Sequence, residues 1–455
     1  QKSRRAEMQI TIHRGAAEIG GNCIDLSTDQ SRVIFDVGMP LVPFQEYRHD
    51  PWMLKKFSRD LLLGFGYLPK VPGLFVGLSD HNRMGTNSAV RNLPPDAILL
   101  SHAHEDHTGL LQHTNESIPI YVTPGTNKMM LAGALFARQT SAPRDRTRVI
   151  TPNVPVHLKD LLITPFPVDH SVYGGVAFLL EASGKRVLYS GDLRLHGRKP
   201  GMIRSLLEAL RDRPIDLLLM EGTHFGQDEK TFPTEYELEE QLVTQVAQSP
   251  SLVLASFSPQ HVDRLVGFLR TAIRTNRIMV VDAYTAFVMH LIRNELSLPQ
   301  PGQDKNIRVF YPQFFEQGSL PKKLEKFYLA NLPARIGLDE IRETPERYLM
   351  VFRPSMLASD FENQLPPQTC CIYSRWAGYL EHPDWQTVQA KLTECDGTLV
   401  VLHTSGHIQA ADIRTLVSQL NPKTIVPIHT AYPHQFAETI PNAFVATNGE
   451  PFQVS

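Results

Sequence analysis

Short apolar runs recur along the first half of the chain, and a polar side chain of catalytic type closely follows each of them. Residues 97–100, 187–190 and 217–220 are three such runs. Apolar runs of this length, bounded by turn residues, predict buried strands. The polar residues placed in this way are Asp36, His102, His170, Asp192 and Glu221. Because functional sites are often built on loops at the ends of strands, the pattern predicts one site assembled from several strand ends.

The densest group of these polar side chains lies in residues 101–109. His102, His104, Asp106 and His107 fall within six positions, in the pattern H-x-H-x-D-H. Imidazole and carboxylate together suit Zn²⁺ or a similar first-row ion. The alternative is a polar surface loop that is rich in histidine, and four ligand-type side chains at this spacing disfavour it. The cluster therefore predicts a metal site.

The pattern changes between about residues 225 and 394, where predicted strands alternate with helices. A capping box at Thr234 and Glu237 begins one helix, and apolar strands are predicted at 252–255 and 278–281. Alternation of this kind indicates a parallel α/β unit. Strands that end at His403 and His429 then repeat the opening pattern. The simplest organisation is one domain interrupted by another.

Composition limits the class of protein and its compartment. The 455 residues are 42% hydrophobic with a formal net charge of −2, so any nucleic-acid contact must rely on locally clustered positive charge. Four cysteines without a C-x-x-C pair predict a reducing, cytoplasmic compartment. No apolar stretch reaches 18 residues, so we expect no membrane association.

The motifs together resemble those of the β-CASP branch of the metallo-β-lactamase superfamily, and in particular the ribonuclease J-like nucleases. The resemblance includes the opening segment 18–22 and the late motif 404–407. It implies an α/β fold in which a metallo-β-lactamase αββα sandwich is interrupted by an inserted β-CASP α/β domain. The first part of the sandwich would be 1–224, the inserted domain 225–395, and the completing part 396–455.

The same resemblance implies the ligands and the catalytic residues. Two divalent metals are expected, Zn²⁺ first with Mn²⁺ as the alternative. One metal would be held by His102, His104 and His170, the other by Asp106, His107 and His429, and Asp192 would bridge them. Asp36 would orient a ligand histidine. The residues implied in catalysis are Asp106, Asp192, Glu221 and His407, with Glu221 fixing the tautomer of His407.

The resemblance also bears on the substrate. In that family a histidine at the last motif goes with RNA, and His429 occupies it here. The implied function is a metal-dependent ribonuclease that hydrolyses phosphodiester bonds of single-stranded RNA as a 5′→3′ exonuclease, with endonuclease activity and a homo-oligomer left open. Candidates for contacting substrate phosphate are Ser256, His261, Arg264, Arg375, Ser405 and Gly406. For each of them a helix cap or a salt bridge is an equal alternative.

Three other functions stay open from the sequence. They are a DNA-directed β-CASP nuclease, a small-molecule metallohydrolase of the same fold, and a non-catalytic RNA-binding protein. The inserted domain argues against a small substrate, and the complete set of ligand positions argues against a non-catalytic protein. Residues 41–95, partly helical at 52–63, are expected to form an elaborated connection that covers one mouth of the site.

Overall fold

The computed structural model describes residues 8–40, 51–75, 93–226 and 231–455. They form two compact units. Unit 1 contains the chain up to Leu195, then Lys199–Thr231 and Gly406–Ser455. Unit 2 contains His196–Arg198 and Phe232–Ser405.

The strands of unit 1 are β1 Gln9–Arg14, β2 Cys23–Ser27, β3 Arg32–Phe35, β4 Ala97–Leu99, β5 Ile120–Val122, β6 Thr147–Val149, β7 Val156–Leu158, β8 Leu161–Pro167, β9 Val176–Ala182, β10 Lys185–Tyr189, β11 Leu217–Glu221, β18 Thr424–Ile428 and β19 Pro451–Gln453. Those of unit 2 are β12 Val253–Ser256, β13 Ile278–Asp282, β14 Ile307–Phe310, β15 Tyr348–Val351, β16 Cys370–Tyr373 and β17 Thr398–Val401.

The helices of unit 1 are α1 Pro51–Leu54, α2 Arg59–Gly64, α3 Glu105–Thr108, α4 Pro124–Ala137, α5 Pro200–Leu210, α15 Ala410–Leu420 and α16 Pro433–Thr439. Those of unit 2 are α6 Glu235–Gln248, α7 Val262–Arg274, α8 Ala283–Ile292, α9 Gln313–Glu316, α10 Leu320–Lys323, α11 Glu325–Asn331, α12 Leu338–Glu343, α13 Pro354–Ser359 and α14 Pro383–Glu394. Short 3₁₀ turns lie at Leu111–His113, Leu332–Ala334, Pro345–Arg347 and Ala377–Glu381.

Unit 1 is built on two stacked sheets. The first has the strand order β19-β1-β2-β3-β4-β5-β6, and the second has β18-β11-β10-β9-β8-β7. Alternate residues of a strand point to opposite faces, and Phe35 from the first sheet shares one buried core with Phe178 and Leu219 from the second. The core therefore lies between the two sheets, as the predicted sandwich requires.

The second sheet is covered on its outer face by helices. Leu206 of α5, Ile413 of α15 and Phe436 of α16 pack in one cluster with Leu179 and Leu218 of the sheet. β11 pairs in parallel with both β10 and β18. The residues that follow these three strands consequently meet at one edge of the sheet, and this edge carries the candidate site.

Several predicted elements are present. The run at 217–220 is β11, and the capping box predicted at Thr234 and Glu237 begins α6 with both of its hydrogen bonds. The helix predicted at 52–63 is instead two short helices, α1 and α2. Much of the predicted connection at 41–95 lies outside the described residues, namely 41–50 and 76–92.

Unit 2 is a parallel α/β unit with the strand order β14-β13-β15-β12-β16-β17. β17 pairs with β16 in this sheet, and the unit continues to Ser405. Unit 2 therefore extends past the domain boundary predicted at 395/396, because an apolar run does not reveal which sheet the strand joins. The first change of unit falls at 231/232 rather than 224/225. Our assignment of the units to the metallo-β-lactamase and β-CASP domains stays an interpretation.

Within the described part of the chain, no helix has both the length and the apolar character needed to cross a membrane.

Candidate active site

The ends of strands in both sheets of unit 1 supply the predicted site residues. Asp36 follows β3, His102 follows β4, Asp192 follows β10, and His429 follows β18. Glu221 is the last residue of β11. α3 begins directly after His104 and places Asp106 and His107 in its single turn. Short polar loops on these buried strands thus bring together residues separated by more than 300 positions in the sequence.

The first ligand set consists of His102, His104 and His170. One ring nitrogen from each lies within 4.8 Å of the others, and His170 Nε2 is 3.1 Å from His104 Nδ1. Burial lowers the pKa of all three imidazoles, to about 4 for His104. They are therefore held in the neutral form that binds metals.

The second ligand set consists of Asp106, His107 and His429. His429 Nε2 is 3.1 Å from Asp106 Oδ2, and His107 Nε2 is 3.7 Å from the same oxygen. Burial would raise the pKa of Asp106, but the charges of His107 and His429 lower it to about 2. The carboxylate is therefore ionised and able to bind a cation.

Asp192 lies at the junction of the two ligand sets. Its Oδ2 is 3.7 Å from His102 Nε2 and 3.8 Å from His170 Nε2 in the first set. In the second set it is 3.1 Å from His107 Nε2 and 3.6 Å from His429 Nε2. This central position is the one that a bridging ligand would occupy.

The ligand atoms of the two sets are suited to binding a divalent metal and are poorly suited to hydrogen bonding with one another. Among the described residues, His102 Nε2 and Asp192 Oδ1 are buried without a hydrogen-bond partner, and such atoms are costly unless something binds them. The nitrogens of the three imidazoles in the first set face one another, and this set contains no carboxylate. Protonation of these imidazoles is therefore unfavourable. Neutral imidazole and carboxylate are the ligands that zinc-like ions prefer.

The outer nitrogens of the ligand histidines are fixed by hydrogen bonds. His107 Nδ1 lies 2.7 Å from Asp36 Oδ2, and His170 Nδ1 lies 2.5 Å from the carbonyl oxygen of Gly406. His429 Nδ1 lies 2.9 Å from the hydroxyl of Thr223. Each partner accepts the Nδ1 proton, so each Nε2 is left free to bind a metal.

Asp36 is itself held by a buried hydrogen-bond network. Its carboxylate accepts from the backbone N–H and the hydroxyl of Ser101, both at 2.7 Å, and from the Tyr189 hydroxyl at 2.6 Å. The Ser101 hydroxyl also lies 3.0 Å from His102 Nδ1. The geometry thus agrees with the orienting role expected of Asp36, and it links that residue to a histidine of each ligand set.

Glu221 and His407 form a second buried pair beside Asp192. His407 Nδ1 lies 3.2 Å from both carboxylate oxygens of Glu221, and Leu193 N donates to Glu221 at 2.9 Å. Burial would lower the pKa of His407, but Glu221, Asp192 and Asp106 raise it to about 9. Its side chain is 22% exposed, whereas Asp192 and Glu221 are at most 1% exposed. The neighbouring carboxylates thus favour the protonated form of His407, and part of its side chain is exposed.

Three supporting residues escaped the sequence prediction. The hydroxyl of Thr223 donates to Glu221 at 2.8 Å and lies within 3.1 Å of both His407 and His429. Ser101 and Tyr189 support Asp36. Ser101 and Thr223 each lie within two positions of a predicted site residue, and this proximity in the sequence could have identified them. Tyr189 belongs to an apolar strand, so no sequence feature distinguished it.

Of the predicted phosphate contacts, Gly406 belongs to unit 1 and the other five belong to unit 2. Gly406 lies against His170, and an added Cβ there would clash with Ser171. Ser405 belongs to unit 2, where its carbonyl accepts from His196 Nε2 at 2.7 Å. Ser256 is buried at the end of β12. Arg375 is half-buried after β16.

Arg264 and His261 are buried around the carboxylate of Glu235. The guanidinium of Arg264 donates to both Glu235 oxygens at 3.0–3.2 Å, to Ser374 and to the carbonyl of Thr404. His261 Nε2 lies 3.2 Å from Glu235. The expected phosphate contact by Arg264 is not supported, because its donors already have buried acceptors. The salt-bridge alternative describes both residues better.

Two family profiles match the chain. The profile described as "Beta-lactamase superfamily domain" matches residues 71–270. The profile described as "Zn-dependent metallo-hydrolase RNA specificity domain" matches residues 398–443, which include His407 and His429. The chain therefore carries a metallo-β-lactamase domain and a metallo-hydrolase RNA specificity domain. The fold and the recognition that we drew from the motifs are confirmed.

Relatives in the superfamily cover nearly the whole chain at low identity. Ribonuclease J of Helicobacter pylori is 20% identical over 442 residues, covering 94% of this chain and 57% of the relative. Ribonuclease J of Pyrococcus abyssi is 22% identical, covering 91% and 88%. Ribonuclease J 1 of Streptococcus pyogenes is 22% identical, covering 98% and 74%. The chain therefore spans little more than half the length of the Helicobacter relative that it matches.

A solved structure shows the same fold. The crystal structure of a protein of unknown function from Enterococcus faecalis V583 has a TM-score of 0.77, is 21% identical, and covers 98% of this chain. All of that protein is covered in the match. The α/β fold of this chain is thus shared with a solved protein over nearly its whole length.

Proposed function

We propose that the protein is a two-metal ribonuclease that hydrolyses phosphodiester bonds of single-stranded RNA. The observation that carries the proposal is the convergence of two ligand sets on Asp192, with the Glu221–His407 pair beside them. Zn²⁺ is the first choice of metal and Mn²⁺ the alternative. Hydrolysis from a 5′ end is the main mode, and endonuclease cleavage is a second mode to be tested.

Bound metals would supply Lewis-acid activation of water and neutralise charge on the phosphodiester. His102, His104 and His170 would hold one, and Asp106, His107 and His429 the other, with Asp192 shared. The protein's own contribution is orientation. Asp36 and Gly406 accept the Nδ1 protons of two ligand histidines, which keeps the facing nitrogens aimed at one point.

His407 is proposed as the proton donor to the leaving oxygen. Glu221 accepts from Nδ1, which leaves Nε2 of the same ring to face the substrate. A pKa raised to about 9 keeps the ring protonated at neutral pH. A positioned general acid contributes about 10²- to 10⁴-fold to a rate. Glu221 therefore acts through His407 by fixing its tautomer and its charge.

RNA is the favoured substrate for two reasons. Both His407 and His429 lie within the segment matched by the RNA specificity profile, and the ribonucleases J of Pyrococcus abyssi and Streptococcus pyogenes match over most of the chain. A ribonuclease J-like enzyme would prefer a 5′-monophosphate. The cytoplasmic location and the oligomeric state stay expectations from the sequence.

The decisive assay compares RNA strands that carry a 5′-monophosphate, a 5′-triphosphate or a 5′-hydroxyl, each labelled at either end. We expect 5′-monophosphate RNA to be shortened from the 5′ end, chelation to stop cleavage, and DNA of the same sequence to be spared. Asp106→Ala and His407→Ala should each lower the rate by at least about 10²-fold.

His434→Ala is the matched control. His434 is an exposed histidine on α16, which begins shortly after His429. This variant should cleave RNA at the wild-type rate. Full activity in either site variant, or activity that survives chelation, would overturn the proposal. Cleavage of DNA alone would assign the same site to a DNA-directed nuclease.

A further inference from the structure

The sheet of unit 2 contains a point where the chain leaves two neighbouring strands in opposite directions. From β12 it passes through α7 to β13, and from β15 it passes through α13 to β16. Because such crossovers are right-handed, the two connections run to opposite faces of the sheet. A crevice therefore opens at the carboxyl ends of β12 and β15, which is where open parallel sheets bind ligands.

Two arginines follow the strands at this edge. Arg353 comes two residues after β15, and Arg375 two residues after β16. β15 and β16 lie on either side of β12, so their ends are about 10 Å apart. Long guanidinium side chains reach across that distance. The edge is therefore a place where two positive charges approach each other.

Arg353 is anchored through Nε, and its side chain is 20% exposed. Its Nε donates to Asp282 at 2.6 Å, and its guanidinium carbon lies 5.1 Å from the centre of the Tyr284 ring. Its Nη2 is buried and has no hydrogen-bond partner within the described residues. A donor fixed in this way and left without an acceptor suits an anionic ligand.

Arg375 has neither a hydrogen bond nor an ion pair with any described residue. Burial lowers its pKa, and so does the charge of Arg353. The carboxylate at this edge, Asp282, is already engaged by Arg353. The crevice thus holds positive charge that the protein does not neutralise, in a chain whose formal net charge is −2.

Two aromatic rings are exposed directly after Arg375. Trp376 is 62% exposed and Tyr379 is 52% exposed, and their ring centres are 5.2 Å apart at an interplanar angle of 88°. The Trp376 carbonyl accepts from the Tyr373 hydroxyl at 3.2 Å. An added Cβ at Gly378 would clash with the indole, so the ring rests on bare backbone. The indole is held in place while its outer surface stays open.

We propose that this edge of unit 2 is a binding site for single-stranded RNA. Arg353 and Arg375 contact the phosphodiester backbone, and Trp376 and Tyr379 stack on bases. Every base has a stacking face, so the site does not select a sequence. Free phosphate would use the arginines alone, whereas the exposed rings indicate a ligand that carries bases. The choice of RNA rests on the function proposed above.

The test measures binding of a labelled single-stranded RNA to the full chain, by fluorescence anisotropy with chelator present so that no cleavage occurs. Trp376→Ala should weaken binding about five-fold or more, and Trp376→Phe should recover most of the loss. Arg375→Gln should reduce the slope of log affinity against log salt concentration by about 0.7. Circular dichroism checks that each variant is folded.

Arg347→Gln is the matched control. Arg347 is exposed and directly precedes β15, at the amino edge of the same sheet, so this variant should bind RNA and respond to salt as the wild type does. Unchanged affinity in Trp376→Ala and Arg375→Gln, or an effect confined to DNA, would overturn the inference. Cleavage of RNA with unchanged binding would leave the proposed function standing and the inference refuted. If the wild-type chain does not cleave RNA but these variants lose RNA binding, the inference stands and the proposed function is refuted.

Discussion

Asp36 and His429 adopt left-handed backbone conformations, with φ of +57° and +50°. Non-glycine residues in this region commonly cost about 1 kcal/mol or more, and Asp and His tolerate it better than most. Both residues directly follow a buried strand and must turn their side chains towards the ligand sets. The cost is consistent with selection for position rather than for stability.

Asp36→Asn tests how strongly an orienting carboxylate controls metal binding. The amide would present a donor or a weaker acceptor to His107 Nδ1, so the ring would lose its preferred tautomer. We expect metal affinity to fall about 10- to 100-fold, measured by competition with a chelating dye. Tyr189→Phe, which removes one hydrogen bond to Asp36, should have a smaller effect in the same direction.

Asp29→Asn is the control for that substitution, because Asp29 is exposed in the turn between β2 and β3. Its metal affinity should equal that of the wild type. If Asp36→Asn binds metal equally well, Asp36 does not orient a ligand.

α7 illustrates how an element can carry residues with opposite roles. Arg264 is fully buried and pairs with Glu235 at the start of α6. Arg270, less than two turns further along α7, is 56% exposed and pairs with Glu239. The first pair holds α6 and α7 together. The second adds less, because Arg270 is solvated and the buried Glu239 also pairs with Arg198 and Arg274.

Arg264→Ala should therefore destabilise unit 2. The substitution removes the guanidinium that contacts both oxygens of the buried Glu235 carboxylate, and breaking a buried pair costs about 3–5 kcal/mol. Arg270→Ala should cost less than about 1 kcal/mol. Chemical denaturation of the two variants gives both values. A stable Arg264→Ala protein with weakened RNA binding would restore the phosphate-contact role that the structure does not support.

Local pattern was sufficient for the candidate ligands but insufficient for their surroundings. The candidate ligands stand at strand ends in recognisable motifs, and the structure brings them together. Tyr189 could not be found, because its hydroxyl acquires a partner only when two sheets stack. The sheet that β17 joins could not be found for the same reason, since strand pairing is decided by non-local contacts. The burial of Arg264 was not predicted, because burial is not visible in a short segment.

The two units give the molecule two cores, and only unit 1 contains the ligand sets. Its buried carboxylates and imidazoles lie close together in groups that could hold a metal ion. A ligand that binds only the folded state stabilises it by about 4 kcal/mol when present at 1,000 times its Kd. The metal should therefore affect the unfolding of unit 1 directly.

Removing the metal should lower the thermal midpoint of unit 1 by about 5–10 °C. Calorimetry of the chelated protein, followed by stepwise addition of Zn²⁺, measures the change. In the His102→Ala variant added Zn²⁺ should raise the midpoint much less. A midpoint that is indifferent to chelator and metal would contradict metal binding at these residues.

The placement of β18 and β19 has a consequence for the order of events on the ribosome. β18 is the edge strand beside β11, and β19 is the edge strand beside β1. Both follow the whole of unit 2 in the sequence. A nascent chain consequently lacks His407 and His429 until all of unit 2 has been synthesised. The candidate ligand sets can then be completed only after the residues of unit 2 have been made.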